Sequence, residues 1–551
     1  MDSNKFREIR NIAAANWVRT SMIVVCGCSA DGVFAQDENV AFSELSGRVI
    51  ENVFVEAEDV FDIKNEEEDN WLFDIANRLH VDTRPRTITT QLLLAPGDKL
   101  SLQKLQESER ILRGNAYLFD ASITPVEKQN GSVDLLVKTR DNWTLFPEFS
   151  FSRAGGESES SFGIEEKNLL GTGTSLNVRR EKDDDRTSSV FEFSGRSIGE
   201  HRLRARYGFA NLSDGETQRI SVQRPFFSLD TLWAGGASAF LDDRIESLYS
   251  RGQRAARYRK DQQLTTGFVG RSDGLQDGVA QRWITGYVAD ENIFDPVVQD
   301  DLALVVPQNR RLNYPFLRYQ QIEDKFQETT NLNQIGRTED LSLGAEYQFT
   351  LGYASEAFGS DRNAWIFGAQ YQKGYGSPDN TLVVIGNSIS GRIESGSLRN
   401  TMFNSQVELY RRRGEKQLFY AAASLVRGKN LDLDNYSSLG GETGLRGYPM
   451  DFLNAEKTLL MNLEYRFYTD YYPFRLFRVG AAVFFDAARG WGADTLGRNA
   501  DDVLSNVGFG LRFASMRSSS NRVFHFDVAF PTSGGSELDT MQFQITGKRR
   551  F

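Results

Sequence analysis

Few residues of this chain have the types and spacing that bond-making chemistry requires. Gly195, Ser197 and Gly199 fit the GxSxG pattern of a nucleophile elbow. That pattern works only on a strand-turn-helix corner, and here it falls in a polar turn between two alternating segments. Gly171 to Leu176, GTGTSL, lacks the third glycine and the βαβ surroundings of a dinucleotide loop. Of the three histidines, His80 belongs to a small leading module, and His201 and His525 are far apart. The only two cysteines, Cys26 and Cys28, lie in an N-terminal segment that reads as an export signal. The mature chain is therefore expected to have no thiol, disulfide or cysteine metal site. These residues give no catalytic site, no metal site and no cofactor.

The residue that stands out offers electrostatics instead. Arg446 sits in Gly440 to Phe452, GGETGLRGYPMDF, a loop between two alternating stretches that is too long for a hairpin turn. On a surface loop it is a solvated charge, worth ~0 to 1 kcal/mol if paired. In a loop folded back into a confined polar space it requires a fixed acidic partner. A guanidinium suits that use, because it stays charged and presents planar, bidentate donors to a carboxylate. Gly444 and Gly447 let such a loop turn tightly.

The elements that must position this loop follow from composition and period. The chain has 551 residues, a net charge of −11, 48 Gly, 39 Phe and 19 Tyr but only 12 Pro. Many strands, many turns and abundant aromatics are implied. No basic face suggests a nucleic-acid footprint. Lys5, Arg7 and Arg10 precede an apolar run ending in Val33-Phe34-Ala35, which predicts a signal peptide over residues 1–35. The mature chain lacks the ~18 to 20 continuous apolar residues of a spanning helix. From about Trp143 the period becomes two and stays there. Leu203, Ala205 and Tyr207 alternate with Arg204, Arg206 and Gly208; Leu463, Tyr465 and Phe467 alternate with Asn462, Glu464 and Arg466. Sustained over residues 143–551, this predicts an antiparallel transmembrane β-barrel with a polar lumen. Strand-like segments tally between about 16 and 20, and about 16 strands are expected to close it. Glu464 and Arg466 read as general lumen charges.

Residues 36–142 have another rhythm. A strand-like run, Arg48 to Ala57, precedes helical candidates around Trp71 to Leu79 and Asp98 to Arg113, the second with Ser101 as cap and Gly114 as stop. Two strands follow, Tyr117 to Thr124 and Val133 to Thr139, around an Asn-Gly turn. The expected unit is a small βααββ domain.

Together these residues resemble the BamA/TamA family of outer-membrane assembly and translocation barrels, within the bacterial surface antigen superfamily. The small domain resembles a single periplasmic POTRA domain. Leu445, Arg446, Gly447 and Tyr448 match the family's LRGY loop motif, and Val483 to Trp491, VFFDAARGW, match its acidic strand motif. VGFGLRF, with Gly508 and Gly510, resembles the glycine-bearing strand that follows, and Glu165 to Leu176 an early hairpin. The resemblance implies that Arg446 reaches into the lumen and pairs with Asp486. Alternation places Asp486, Gly508 and Gly510 on the inward side, where the glycines are expected to leave space beside the carboxylate. It further implies no bond chemistry. The barrel would insert or translocate client polypeptides at a weak seam between first and last strands, Thr144 to Ser152 and Met541 to Lys548. Phe149, Phe151, Phe543, Ile545, Gly547 and the terminal Phe551 are the seam residues. Expected partners are outer-membrane lipids, clients and periplasmic chaperones or accessory proteins. A two-partner-secretion translocator is the alternative, and a barrel enzyme or porin ranks below both.

Overall fold

The computed structural model describes residues 44–63, 71–199, 201–298, 302–494, 496–498, 500–519, 522–534 and 538–548. The expected signal peptide, both cysteines and Phe551 lie outside the described residues, as does the side chain of Phe149.

The small leading domain contains β1 (Ile50–Glu58), α1 (Trp71–Leu79), α2 (Pro85–Thr89), α3 (Leu102–Arg113), β2 (Leu118–Glu127) and β3 (Val133–Asp141). Its sheet order is β1-β3-β2, with β1 parallel and β2 antiparallel to the central β3. Ser101 caps α3, its hydroxyl accepting from Lys104 N. Leu105 and Leu112 then face a core of Ile50, Ile88, Leu118, Leu135 and Val137. The short α2, opened by Pro85, was not expected. It has too few residues to show a period.

Among the described residues twenty antiparallel strands close a barrel, running from Leu145–Ala154 to Gln542–Lys548. This corrects the expected number of about 16, which came from counting alternating segments. Several neighbouring strands are joined by only two residues: Arg251-Gly252, Asp277-Gly278 and Ser395-Gly396. Both residues of each pair have positive φ, as tight hairpin turns demand. Such a turn is too short to interrupt the alternation, so two strands read as one. The count remains even.

The barrel's two faces have opposite chemistry. Phe509 and Leu511 are 55% and 50% exposed, whereas their neighbour Arg512 is fully buried. Val269, Trp283, Leu317 and Phe349 continue the exposed apolar exterior. Buried charge with an apolar outside inverts the order of a water-soluble sheet, and suits hydrocarbon around the wall and a polar lumen within.

Two connections between strands carry extra structure. At the mouth where the small domain sits, called proximal here, residues 324–345 form the hairpin Phe326–Thr330 and Thr338–Ser342. At the distal mouth, residues 430–456 contain the Arg446 loop, bracketed by the strand pair Ser437–Leu439 and Leu453–Ala455.

Candidate functional site in the lumen

The distal loop is held inside the barrel. Leu445 and Tyr448 are fully buried and pack with Phe452, Leu460, Ala488 and Leu504. The Tyr448 hydroxyl donates to a carbonyl, Ser505 O or Ser533 O, each 2.8 Å away, and accepts from Ser505 N. Gly444 has φ +102°, a left-handed turn that favours glycine.

Arg446 is 3% exposed and saturated with partners. Its Nε and Nη2 donate to the two oxygens of Asp486 at 2.9 and 2.6 Å, a bidentate fork. Its Nη1 donates to Glu464 Oε1 at 2.7 Å. The guanidinium lies over the Phe484 ring, 3.4 Å from its centroid. Asp486, with no exposure, also accepts from Asn462 and Asn506 at 2.7 and 2.9 Å. Gly447 N donates to Asn506 Oδ1 at 3.1 Å. Nearby, Arg512 holds Asp527 at 2.5 Å, and Asp527 lies 3.9 Å from Arg446. Three carboxylates (Asp486, Glu464, Asp527) thus face three guanidiniums (Arg446, Arg466, Arg512). Buried charges of this density persist only when paired and hydrogen-bonded.

The glycines serve a different neighbour from the one sequence suggested. Asp486 stands opposite Asn506, while Gly508 stands opposite Phe484 and Gly510 opposite Ala482. A Cβ on Gly508 would lie 2.3 Å from Val528 O and 2.4 Å from the Phe484 ring, and one on Gly510 would lie 1.9 Å from Asp527 Oδ1. The space they vacate is filled by the ring under Arg446 and by the Asp527 carboxylate.

Glu464, first read as a general lumen charge, belongs to the site. Its Oε2 accepts from Arg466 Nε at 2.8 Å, and Arg466 Nη1 donates to Leu332 O at 3.0 Å. Leu332 is the tip of the proximal hairpin. It is buried with Ile335 and Leu343 against Leu382, Tyr410, Leu418, Tyr468, Ala482, Ala514 and Val523. These lie on successive strands, so the tip sits inside the wall. Glu339 shapes it by accepting from the backbone N–H of Leu332, Asn333 and Gln334. The small domain grips the same hairpin. Arg113 on α3 bonds Asp340 at 2.6 Å and Glu328 at 2.5 Å, and Arg337 donates to Leu118 O at 2.7 Å. The inward parity of Glu464 was visible in sequence; no local signal marked Leu332, because residues 324–345 show no period.

The seam residues other than Phe551 lie on strands Leu145–Ala154 and Gln542–Lys548. Among the described residues a single pair joins these strands, Ile545 opposite Arg153. By contrast, the last strand pairs along its whole described length with Val523–Pro531, where Gly547 faces Phe524. Phe151 and Phe543 point outward, 54% and 51% exposed. The distal loop touches both sides of the seam. Gln544 donates to Gly441 O at 2.5 Å, and Met450 N donates to Gly155 O at 3.3 Å. Gly195 to Ile198 end a strand that turns into another strand, so Ser197 has no helix behind it.

The fold is similar to that of BamA from Haemophilus ducreyi lacking POTRA domains 1–3, at 14% identity over 91% of this chain and 84% of that one, with a TM-score of 0.39. It is also similar to CdiB from Acinetobacter baumannii, at 15% identity over 91% and 74% of the two chains, with a TM-score of 0.44. CdiB from Escherichia coli gives 13% identity, 91% and 76% coverage and a TM-score of 0.43. No family model matches the sequence, and no curated protein matches it either.

Proposed function

We propose that this chain is a bacterial outer-membrane barrel of the BamA/TamA kind, with its small POTRA-like domain in the periplasm. It would insert client polypeptides into the outer membrane, or pass them across it, by opening the seam between its first and last strands. The observation that carries this reading is the seam itself: among the described residues one register pair, Ile545 with Arg153, against continuous ladders on either side. An unpaired strand edge cannot face hydrocarbon, so a weak seam is stable only when something braces it and useful only when a strand is added to it. The distal loop is the brace, bonded to Gly155 beyond the first strand and to Gln544 in the last. Arg446 anchors that loop to the wall through Asp486 and Glu464. Outer-membrane lipids and client strands are the partners this requires, with periplasmic chaperones delivering the clients. No step makes or breaks a covalent bond.

The test is depletion of the protein followed by comparison of outer-membrane and secreted proteomes. Broad loss of barrel proteins is the expected result. Loss of one exported protein alone would assign the translocator role instead. No change in either fraction would overturn the proposal.

A further inference from the structure

We infer that the joint between the small domain and the barrel is a binding site for a divalent first-row transition ion, held by His80, Asp82 and Asp141. His80 and Asp82 follow α1, and Asp141 ends β3, immediately before the linker into the barrel. The ligand atoms of the three side chains all lie within 4.8 Å of one another. His80 Nε2 is 3.0 Å from Asp141 Oδ2, and both side chains are only 2% exposed. That contact is a hydrogen bond, and an ion held by the two groups takes the place of its proton. Asp82 is exposed, so it completes the set by turning its side chain inward and leaves an entry path for the ion.

A second observation points the same way. Asp141 Oδ2 is crowded with donors: Thr83 N and Oγ1 lie at 2.8 and 2.9 Å, besides His80. Its other oxygen, Oδ1, is buried with no hydrogen-bond partner. A buried carboxylate oxygen without a donor is costly. Among the described residues, no lysine or arginine forms an ion pair with Asp82 or Asp141. A cation supplies both the missing charge and the missing partner. One imidazole nitrogen with two carboxylates suits Zn²⁺ or Mn²⁺ better than Ca²⁺, which prefers oxygen alone. Thr83 acts as the orienting residue, fixing Asp141 as supporting partners fix metal ligands elsewhere.

The location gives the ion a task. Thr83 Oγ1 accepts from Asn168 Nδ2 at 2.8 Å, and Arg84 N donates to Gly171 O at 3.0 Å. Both partners belong to the barrel's first proximal turn. A bound ion locks the segment after α1 to the end of β3 and so stiffens the seat of the small domain. That domain holds the proximal hairpin through Arg113, so the ion also steadies the support of that hairpin.

The experiment uses the full chain in detergent, without a histidine tag, stripped by chelator and titrated calorimetrically with ZnCl₂, MnCl₂ and CaCl₂. One Zn²⁺ or Mn²⁺ site is expected, lost in His80→Gln and weakened at least ~10-fold in Asp82→Asn. Thr83→Val should weaken it ~10 to 100-fold. Amide exchange in residues 80–85 and 167–173 should slow on ion binding. Asp82 is exposed, so Asp82→Asn keeps the fold and tests the ligand alone. No binding, binding unchanged in both His80→Gln and Asp82→Asn, or a preference for Ca²⁺ would each overturn the assignment.

Discussion

Glu464 accepts from Arg446 through one carboxylate oxygen and from Arg466 through the other, at 2.7 and 2.8 Å. One side chain thereby joins a loop from the distal mouth to a hairpin from the proximal mouth, because Arg466 also holds Leu332 O. Glu464→Gln leaves two buried guanidiniums short of one negative charge. The expected local cost is ~3 to 5 kcal/mol, the usual result of removing one partner from a buried ion pair. Amide exchange should quicken both in residues 440–452 and in residues 331–337. Quickening confined to one of the two would show that the loop and the hairpin are not coupled through this residue.

The bidentate contact of Arg446 with Asp486 is geometric as well as electrostatic. Arg446→Lys retains the charge but loses the planar fork and the stacking on Phe484, and should behave like Arg446→Ala in protease resistance of the loop. Exchanging the two residues should recover part of what either single change loses. Gly508→Ala should give the same loosened loop without touching any charge, since its Cβ would meet the Phe484 ring at 2.4 Å as well as Val528 O of the next strand at 2.3 Å. Proteolysis of residues 440–452 checks all four variants, and an unaltered Gly508→Ala would exclude the ring as a support of Arg446.

The seam can be locked. Opposed residues of an antiparallel pair have Cα atoms ~4.5 to 5.5 Å apart, within the range a disulfide spans. Arg153→Cys with Ile545→Cys should therefore cross-link, the only other cysteines being Cys26 and Cys28 near the N-terminus. Under oxidising conditions client insertion is expected to stop, and a reductant should restore it. Full activity of the cross-linked barrel would mean that clients do not enter by this route.

The small domain has a pH response of its own. Burial pushes the Glu109 carboxyl up to about 7, partly offset by the Ile123 backbone donor and by Arg113. A raised carboxyl pKa means the folded domain holds a proton that the unfolded chain has already released. Stability is thus highest at acid pH and declines as pH rises from about 4.5 to about 7. Glu109→Gln should flatten that decline and slow small-domain amide exchange at neutral pH. Protection factors measured from pH 5 to pH 8 check this, and a parallel slope in variant and wild type would remove Glu109 as the cause.

Period and residue type alone carried much of this architecture. Alternation over some 400 residues requires a two-faced sheet, because successive strand side chains point to opposite sides. The Ser101 cap and Gly114 stop marked α3 for the same local reason. A glycine-flanked arginine, together with an aspartate of inward parity, defined a site that spacing could describe but not assemble. Tertiary structure decided the rest. The strand number depends on closure, which two-residue turns such as Arg251-Gly252 conceal. The recruitment of Glu464, Asn462, Asn506, Phe484 and Asp527 depends on which strands become neighbours. The entry of Leu332 into the lumen depends on a hairpin held by Arg113, more than 200 residues away in sequence. Parity tells a side chain which way to face; only the folded barrel settles what it meets there, because its partners come from strands and loops that no local pattern links.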